Sequence, residues 1–427
     1  MMTPKMSLAR RPAYGLAPSL LRNVLLARLG RLREGELAII DAHGRVLLGQ
    51  PAADGLRAQI TVHAERFWQR VASGGTLAAA DAFIDGDWSA DDLTAVMRLL
   101  VRNRDAMTGL EGGLAWLWRK VDHARHLLRP NTRGGSKKNI AAHYDLGDDL
   151  FALMLDPTMS YSCGIFERPD ATLEEASLAK IDRLIAKLDL RPEHHLVEIG
   201  TGWGALAVRA AQTTGCRVTT TTISTAQHER ATERVAEAGL ADRITVLLED
   251  YRDLRGQYDR LVSVEMIEAI GATQYREFFQ VCERLVGPAG LVAVQAITVP
   301  DASYEEARDD VDFIKARIFP GTCIPSLNAL LDAATRAGQL RLHHMEDIGL
   351  HYARTLALWR RNLEQHEAEI VRARGERFWR AFVYYLCYCE GGYRERFLGD
   401  VQLVLRGPRA MPPLNLPPLV EDPRIDA

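Results

Sequence analysis

A buried-strand pattern at 195–199, a turn with three alternating glycines and a helical run at 205–213 follow one another without a gap. No other feature restricts the fold of the chain as much. In Val197-Glu198-Ile199-Gly200-Thr201-Gly202-Trp203-Gly204 the glycines let the backbone turn tightly and come close to a ligand. The helix behind them presents free N–H groups at its start. The alternation continues, with strands expected at 217–222, 244–248, 260–264 and 291–297 and a helix at 225–238. Strands alternating with helices predict an α/β fold, a mostly parallel sheet covered by helices on both faces. We assign residues 139–410 to it.

The rest of the chain divides around this pattern. Residues 17–128 read as a smaller α+β domain. Short apolar runs at 36–40 and 46–48 flank the turn signal Asp41-Ala42-His43-Gly44, a third strand is expected at 57–62, and helices at 65–73, 77–84 and 93–102. Proline, glycine and polar residues make 129–138 a linker. Residues 1–16 read as a flexible basic N-terminus and 411–427 as a loose tail.

Bulk properties exclude several classes. With 47% hydrophobic and 26% charged residues the chain can build a sizeable core. A net charge of −3 leaves no whole-chain field for nucleic acid. Cys163, Cys216, Cys282, Cys323, Cys387 and Cys389 form no CxxC pair, so no metal site is expected and the thiols are taken as reduced. No uninterrupted apolar run approaches the ~18 residues of a membrane span. The first 33 residues carry seven bases and no acid, but Arg22 and Arg28 break the apolar stretch, which reads poorly as a signal peptide. A cytoplasmic location with contact at a membrane surface is expected.

The glycine turn reads as a nucleotide site of a particular kind. A dinucleotide fingerprint has GxGxxG, with an acid about 20 residues on. Here the spacing is GxGxG, and the second strand ends in Thr221-Thr222-Ile223-Ser224 without an acid. Those departures fit S-adenosylmethionine, which has no pyrophosphate to cradle. Taken alone, a glycine turn that binds nothing stays open. Asp250 and Tyr251, after the strand at 244–248, offer an acid and an aromatic for an adenine edge and face.

Several ordered words then make a stronger match. They are His143-Tyr144-Asp145-Leu146-Gly147, Tyr161-Ser162-Cys163, the run from Ile199 to Gly204, Thr222-Ile223-Ser224 with Gln227, and Asp250-Tyr251-Arg252-Asp253. Ile318-Phe319-Pro320-Gly321 and Tyr384-Tyr385-Leu386 follow. On these, residues 143–393 resemble the cyclopropane-fatty-acyl-phospholipid synthase family of S-adenosylmethionine-dependent class I methyltransferases. The resemblance implies a Rossmann-like, mostly parallel seven-stranded sheet. It also implies methyl transfer to a cis double bond of an unsaturated phospholipid acyl chain, giving a cyclopropane. Implied cofactor contacts are Tyr161, Ser162, Gly200, Gly202, Gly204, Thr222, Gln227 and Tyr251; Glu198, Trp203 and Asp250 are added from their places in the turn and at the strand end.

An alkene is a poor nucleophile and must be held against the sulfonium methyl. The resulting carbocation needs a dry aromatic site. Tyr144, Tyr161, Phe166, Tyr352, Trp359, Tyr384, Tyr385 and Tyr388 are the aromatic candidates, most of them expected in the core. A proton must then leave. In the family a bound bicarbonate is the base, and its holders correspond to Cys163, Glu268, Ile297 (through backbone) and Tyr352. The remaining holder, usually histidine, is Gln295 here. Glu265 is a second departure, three residues before Glu268, and on a helix the two would share a face. It is open whether Glu265 is a structural acid, binds the cofactor, tunes Glu268 or replaces the base. Cys389 aligns with a cysteine proposed as catalytic in the family, and a structural role is favoured because the alkene attacks the cofactor directly. Loss of the proton from the added methyl closes a ring; loss from a neighbouring carbon leaves a methyl or methylene branch.

The substrate lies in a bilayer, so peripheral docking at the inner face of the membrane is expected. Leu21, Leu25, Leu29 and Leu32 form a helical stripe that either lies in the interface or packs on its own domain. Trp116, Trp118, Arg119, Lys120 and Arg125 suit anionic headgroups. The resemblance implies a lipid-binding N-terminal domain and a homodimer. A small-molecule N-methyltransferase and a non-catalytic lipid-binding relic are the competing functions.

Overall fold

The computed structural model describes residues 18–107 and 147–411, together with Leu416 and Leu419. The chain forms two compact units, Met1–Trp118 and Arg119–Ala427. The basic N-terminus, the linker expected at 129–138, the Trp116–Arg125 cluster, Tyr144 and most of the tail lie outside the described residues.

In the first unit, strands β1 (Gly35–Asp41) and β2 (Gly44–Gln50) make an antiparallel hairpin with Asp41 facing Gly44. The Asp41 carboxylate accepts the His43 N–H at 2.9 Å, the local bond that makes aspartate a turn residue. Strand β3 (Arg57–Val62) runs parallel to β1, and β4 (Trp88–Ala90), too short to show alternation in sequence, is antiparallel to β3. The sheet order is β2-β1-β3-β4. Helix α1 (Pro18–Leu29) buries Leu25, as the turn after it buries Leu32, so the leucine stripe packs within its own unit, while Leu20 and Val24 are exposed. The two helices expected at 65–73 and 77–84 are joined as α2 (Arg66–Ile84), broken at Gly75, whose φ of 60° is open to glycine. Helix α3 (Leu93–Arg102) starts on Asp92, which caps the Ala95 N–H at 2.9 Å.

The second unit is built on a seven-stranded sheet of order β10-β11-β9-β8-β5-β6-β7. Strands β5 (His195–Ile199), β6 (Arg217–Thr222), β7 (Ile244–Leu248), β8 (Arg260–Val264) and β9 (Leu291–Thr298) are parallel. The edge pair β10 (Arg341–Asp347) and β11 (Gly399–Arg406) is antiparallel, β11 lying against β9. Adjacent residues of one strand enter opposite layers, as the two-residue period requires. Val197 and Leu261 pack with Phe278, Phe279 and Leu285 of one helix (Tyr275–Val286), whereas Leu196 and Val262 pack with Ile181, Leu184 and Ala207. Each such apolar side chain, fully buried, contributes roughly 1.5–3 kcal/mol. All parallel strands bring their carboxyl ends to one edge. The order reverses at β5, which places the crevice for a ligand at the turn after that strand.

One expectation about this edge is overturned. Glu265 and Glu268 do not share a helical face. Strand β8 runs to Val264, Glu265 itself is left-handed (φ 47°), and the only helix there is the single turn Ile267–Ile270. Gly271, at φ 82°, ends that turn too soon for an i, i+3 face to form.

Candidate active site

The glycine turn is held from below. The Gly200 and Thr201 N–H groups both donate to the Thr221 carbonyl at 3.1 Å, tying the turn to β6. Glu198 points beneath it, and its Oε2 accepts the Thr220 hydroxyl at 2.6 Å. Burial pushes the Glu198 carboxyl up to about 8, against the lowering pull of that hydroxyl and of Lys180. Gly200, Gly202 and Gly204 all have positive φ. A Cβ on Gly204 would stand 3.2 Å from that of Ala231, whereas one on Gly202 would meet nothing within 4 Å. The outer side of the turn is therefore open where a ligand must approach.

The other expected contacts collect at the same edge. Thr222 donates to the Gln227 side-chain oxygen at 2.8 Å, and Ser224 between them caps the next helix (Thr225–Glu237). The Tyr251 hydroxyl is buried with no hydrogen-bond partner, as a group reserved for a ligand would be. The Asp250 carboxylate instead grips Arg252 at 2.6 Å. Ser162 accepts from the buried Lys180 ammonium at 2.9 Å.

From Trp203 an aromatic wall leads away from the turn. Trp203 packs on Phe151 (5.1 Å between centroids), Phe151 on Tyr161 (5.0 Å), and Tyr161 stacks on Trp359 (5.1 Å). Trp359 meets Tyr352 edge-on, and Tyr352 stacks on Tyr393 at 4.5 Å. The Tyr161 and Tyr385 hydroxyls share a 2.7 Å bond. Phe166 sits apart, under Arg354 and beside His351, and Tyr384 and Tyr388 pack on Phe313.

The wall ends on a cluster of acids, Glu268 and Asp400 buried and Glu265 half-buried. Glu265 Oε1 accepts the Cys163 N–H (2.8 Å) and the Gln295 side-chain N–H (2.8 Å), and Oε2 accepts the Tyr352 hydroxyl at 2.5 Å. Glu268 Oε1 accepts the Ile297 N–H at 2.5 Å, and its Oε2 is buried with no hydrogen-bond partner. Burial first, and the Glu265 charge second, push Glu268 up to about 8. Asp400 lies against Glu265, and burial with that neighbouring carboxylate drives it well above the usual range. All the groups assigned to a bicarbonate ion are thus brought together, but Cys163, Gln295 and Tyr352 donate to Glu265, and Ile297 to Glu268. This donor set does not fit an added anion.

Gln295 has a fixed orientation. The Lys187 ammonium, fully buried, donates to Gln402 Oε1 at 2.7 Å; Gln402 Nε2 donates to Gln295 Oε1 at 2.9 Å. An ammonium cannot accept, so both amides are oriented and Gln295 turns its N–H groups to Glu265 and Asp400. Lys180, Lys187, Asp400 and Gln402 escaped the sequence reading. Their signals were polar residues in apolar places: two lysines seven apart on the buried stripe of one helix (Leu173–Lys187), and Asp400 and Gln402 two apart in an apolar strand.

Cys163 and Cys389 are inert in this setting. Burial, then Asp400 and Glu265, push the Cys163 thiol well up, and burial with Asp312 does the same for Cys389. A neutral thiol is a poor nucleophile. Cys389→Ser is expected to keep kcat/KM close to that of the wild type; a loss of 100-fold or more, about 2.7 kcal/mol, would restore a covalent role.

A model of the mycolic acid cyclopropane synthetase family matches residues 132–403. Tuberculostearic acid methyltransferase UfaA1 of Mycobacterium tuberculosis is 37% identical over 84% of this chain and 86% of its own length. Cyclopropane-fatty-acyl-phospholipid synthase of Escherichia coli is 34% identical over 81% of this chain and 86% of its own. Among solved structures, the mycolic acid cyclopropane synthase CmaA1 complexed with SAH and CTAB superposes with a TM-score of 0.59 at 32% identity, covering 63% of this chain and 97% of that one.

Proposed function

The chain belongs to the mycolic acid cyclopropane synthetase family, and on that premise we propose that it alkylates the cis double bond of an unsaturated phospholipid acyl chain, closing a cyclopropane. It is an S-adenosylmethionine-dependent C-methyltransferase of the cyclopropane synthase type. The observation that carries the lipid reading is the aromatic wall running from Trp203 in the cofactor turn to Tyr352 beside the acid cluster. A carbocation needs such a surface, dry and without a nucleophile.

The residues present fit the cofactor. Gly202 leaves space, Tyr251 offers an unpartnered hydroxyl, and Thr222, Gln227 and Ser162 stand at the same edge. When bound, the cofactor supplies an electrophilic methyl whose bond to sulfur breaks with the electron pair left on sulfur. Trp203, Tyr161 and Trp359 would exclude water, and the ring faces of Tyr161 and Tyr352 would stabilise positive charge on the acyl chain. A bicarbonate base, which the family implies, finds the Cys163, Gln295, Tyr352 and Ile297 donors already taken by Glu265 and Glu268.

Peripheral docking on the inner face of a membrane accompanies this reading. Among the described residues no helix is long and apolar enough to span a bilayer. The N-terminal unit exposes Leu20, Val24 and Leu47, apolar groups suited to a lipid surface. A homodimer is the expected assembly. A branched product is the second reading, favoured by the 37% identity to a tuberculostearic acid methyltransferase.

Expression in cells with unsaturated phospholipids, followed by mass spectrometry of the fatty acids, tests both. A gain of one CH2 per acyl chain is expected, and NMR separates ring from methylene branch. Unchanged acyl chains, despite cofactor binding, would sink the lipid reading.

A further inference from the structure

We propose that Glu265 is the base of this reaction, its carboxylate built into the place that a bicarbonate ion takes in the family, so that the chain turns over without bicarbonate. The proposal rests on the lipid-alkylating reading and adds the group that receives the proton.

The geometry is that of an anion site already filled by the chain itself. Three donors from separate parts of the chain converge on one carboxylate: the Cys163 backbone, the Gln295 amide on β9 and the Tyr352 hydroxyl on the helix Gly349–Glu364. The Lys187–Gln402–Gln295 chain holds the amide with its N–H groups toward the acid. The groups facing Glu265 are Asp400, Glu268, Tyr352, Tyr385, Tyr393, Cys163 and Lys180. Burial raises all three carboxyls, Glu265 included; in Glu265 the Tyr352 hydroxyl, the Cys163 N–H and Lys180 pull the other way, whereas the neighbouring Glu265 charge pushes Glu268 and Asp400 further up. Of the three carboxyls, Glu265 accepts the most hydrogen bonds, and such bonds favour the charged form. The ionised acid of the cluster is therefore Glu265.

Its backbone points to use rather than support. Glu265 is one of four non-glycine residues at positive φ among the described residues. Such strain costs roughly 1–3 kcal/mol and persists at functional sites. The strained turn swings the side chain out of the β8 alternation. It also sets Met266 directly on the cofactor loop, where a Cβ on Gly200 would lie 3.4 Å from the Met266 side chain. The base and the cofactor turn are thus neighbours on adjacent strand ends.

The step balances without a further reactant. After methyl addition one acyl carbon is cationic. A C–H bond of the added methyl breaks, its electron pair forms the closing C–C bond to that carbon, and the proton moves to an oxygen of Glu265. The carboxylate ends as the neutral acid and releases the proton to solvent before the next turnover.

The test uses the full chain, vesicles of phospholipid with cis-monounsaturated chains, and buffer depleted of CO2. The wild type is expected to run at the same rate with and without added bicarbonate. Glu265→Gln, nearly isosteric, is expected to lose about 100-fold or more in kcat, the usual worth of a general base. Its affinity for S-adenosylmethionine should stay unchanged by calorimetry, which also reports folding and separates a base from a cofactor contact. In parallel, NMR with 13C-bicarbonate on the cofactor-loaded wild type should give no bound signal. Stimulation of the wild type by bicarbonate, a bound signal, or full activity of Glu265→Gln would overturn the proposal. If no lipid is alkylated in any buffer, the lipid reading fails on that result, and the NMR signal alone decides whether Glu265 fills the anion site.

Discussion

Gly202→Val is expected to abolish measurable S-adenosylmethionine binding while the methyltransferase domain stays folded. Gly202 has a φ of 52°, in the left-handed region, so a β-branched residue there is strained by roughly 1–3 kcal/mol. The protein itself offers no clash, because nothing lies within 4 Å of the position a Cβ would take. The new isopropyl group therefore projects into the space left for the ligand. A loss of 100-fold or more in affinity, about 2.7 kcal/mol, is expected by calorimetry, with a fall of a few degrees in Tm. Gly204→Val should behave differently. Its Cβ would press on Ala231, at 3.2 Å, and separate two helices, so the fold suffers first. Wild-type affinity in Gly202→Val would show that the cofactor does not approach this side of the turn.

Sequence carried the parallel half of the sheet because each strand declares itself locally. His195–Ile199, Arg217–Thr222, Ile244–Leu248 and Arg260–Val264 have the bounds that apolar runs between turn residues predict. The antiparallel edge was silent for two reasons. Strand β10 is polar and half-exposed, with no alternation to read, and β11 follows a long helix where a further α/β unit would not place it. The acid cluster shows the same limit in the site. Glu265 was visible as a departure, but its i, i+3 spacing to Glu268 suggested a helix that the left-handed turn forbids. Its partners come from positions 163, 295, 352 and 400. No local pattern joins residues so far apart; the β8–β9–β11 pairing brings in Gln295 and Asp400, by placing Val264 beside Gln295 and Gln295 beside Gln402, and tertiary packing adds Cys163 and Tyr352. Asp250 stands at the strand end where its place in the sequence puts it, its carboxylate paired with Arg252.

Glu268→Gln is expected to leave the stability of the domain unchanged at about pH 5 and to raise it at about pH 9. Burial lifts the Glu268 carboxyl to about 8 in the folded chain, against 4.5 for an unperturbed glutamate. Between those values the folded chain holds a proton that the unfolded chain has lost. The stabilisation is thus fully present below 4.5 and lost as pH rises through 8. Full linkage between those two values sets a ceiling of about 5 kcal/mol; relaxation around the ionised acid leaves an expected gain of about 2 kcal/mol for the variant. Glutamine mimics the neutral acid, since its oxygen can still accept the Ile297 N–H. Its N–H2 would stand at the Oε2 position, which has no hydrogen-bond partner. Titrating groups that do not interact with Glu268, such as Lys187 and Glu346, are common to both proteins and cancel when variant and wild type are compared at each pH. Glu198, also raised to about 8, should add a second increment in the Glu198→Gln, Glu268→Gln pair, because it sits under the glycine turn rather than in the acid cluster. Denaturant midpoints measured across the pH range decide the matter. Parallel wild-type and Glu268→Gln curves would mean that Glu268 is already ionised near neutral pH, and that the cluster carries its charge on two carboxylates instead of on Glu265 alone.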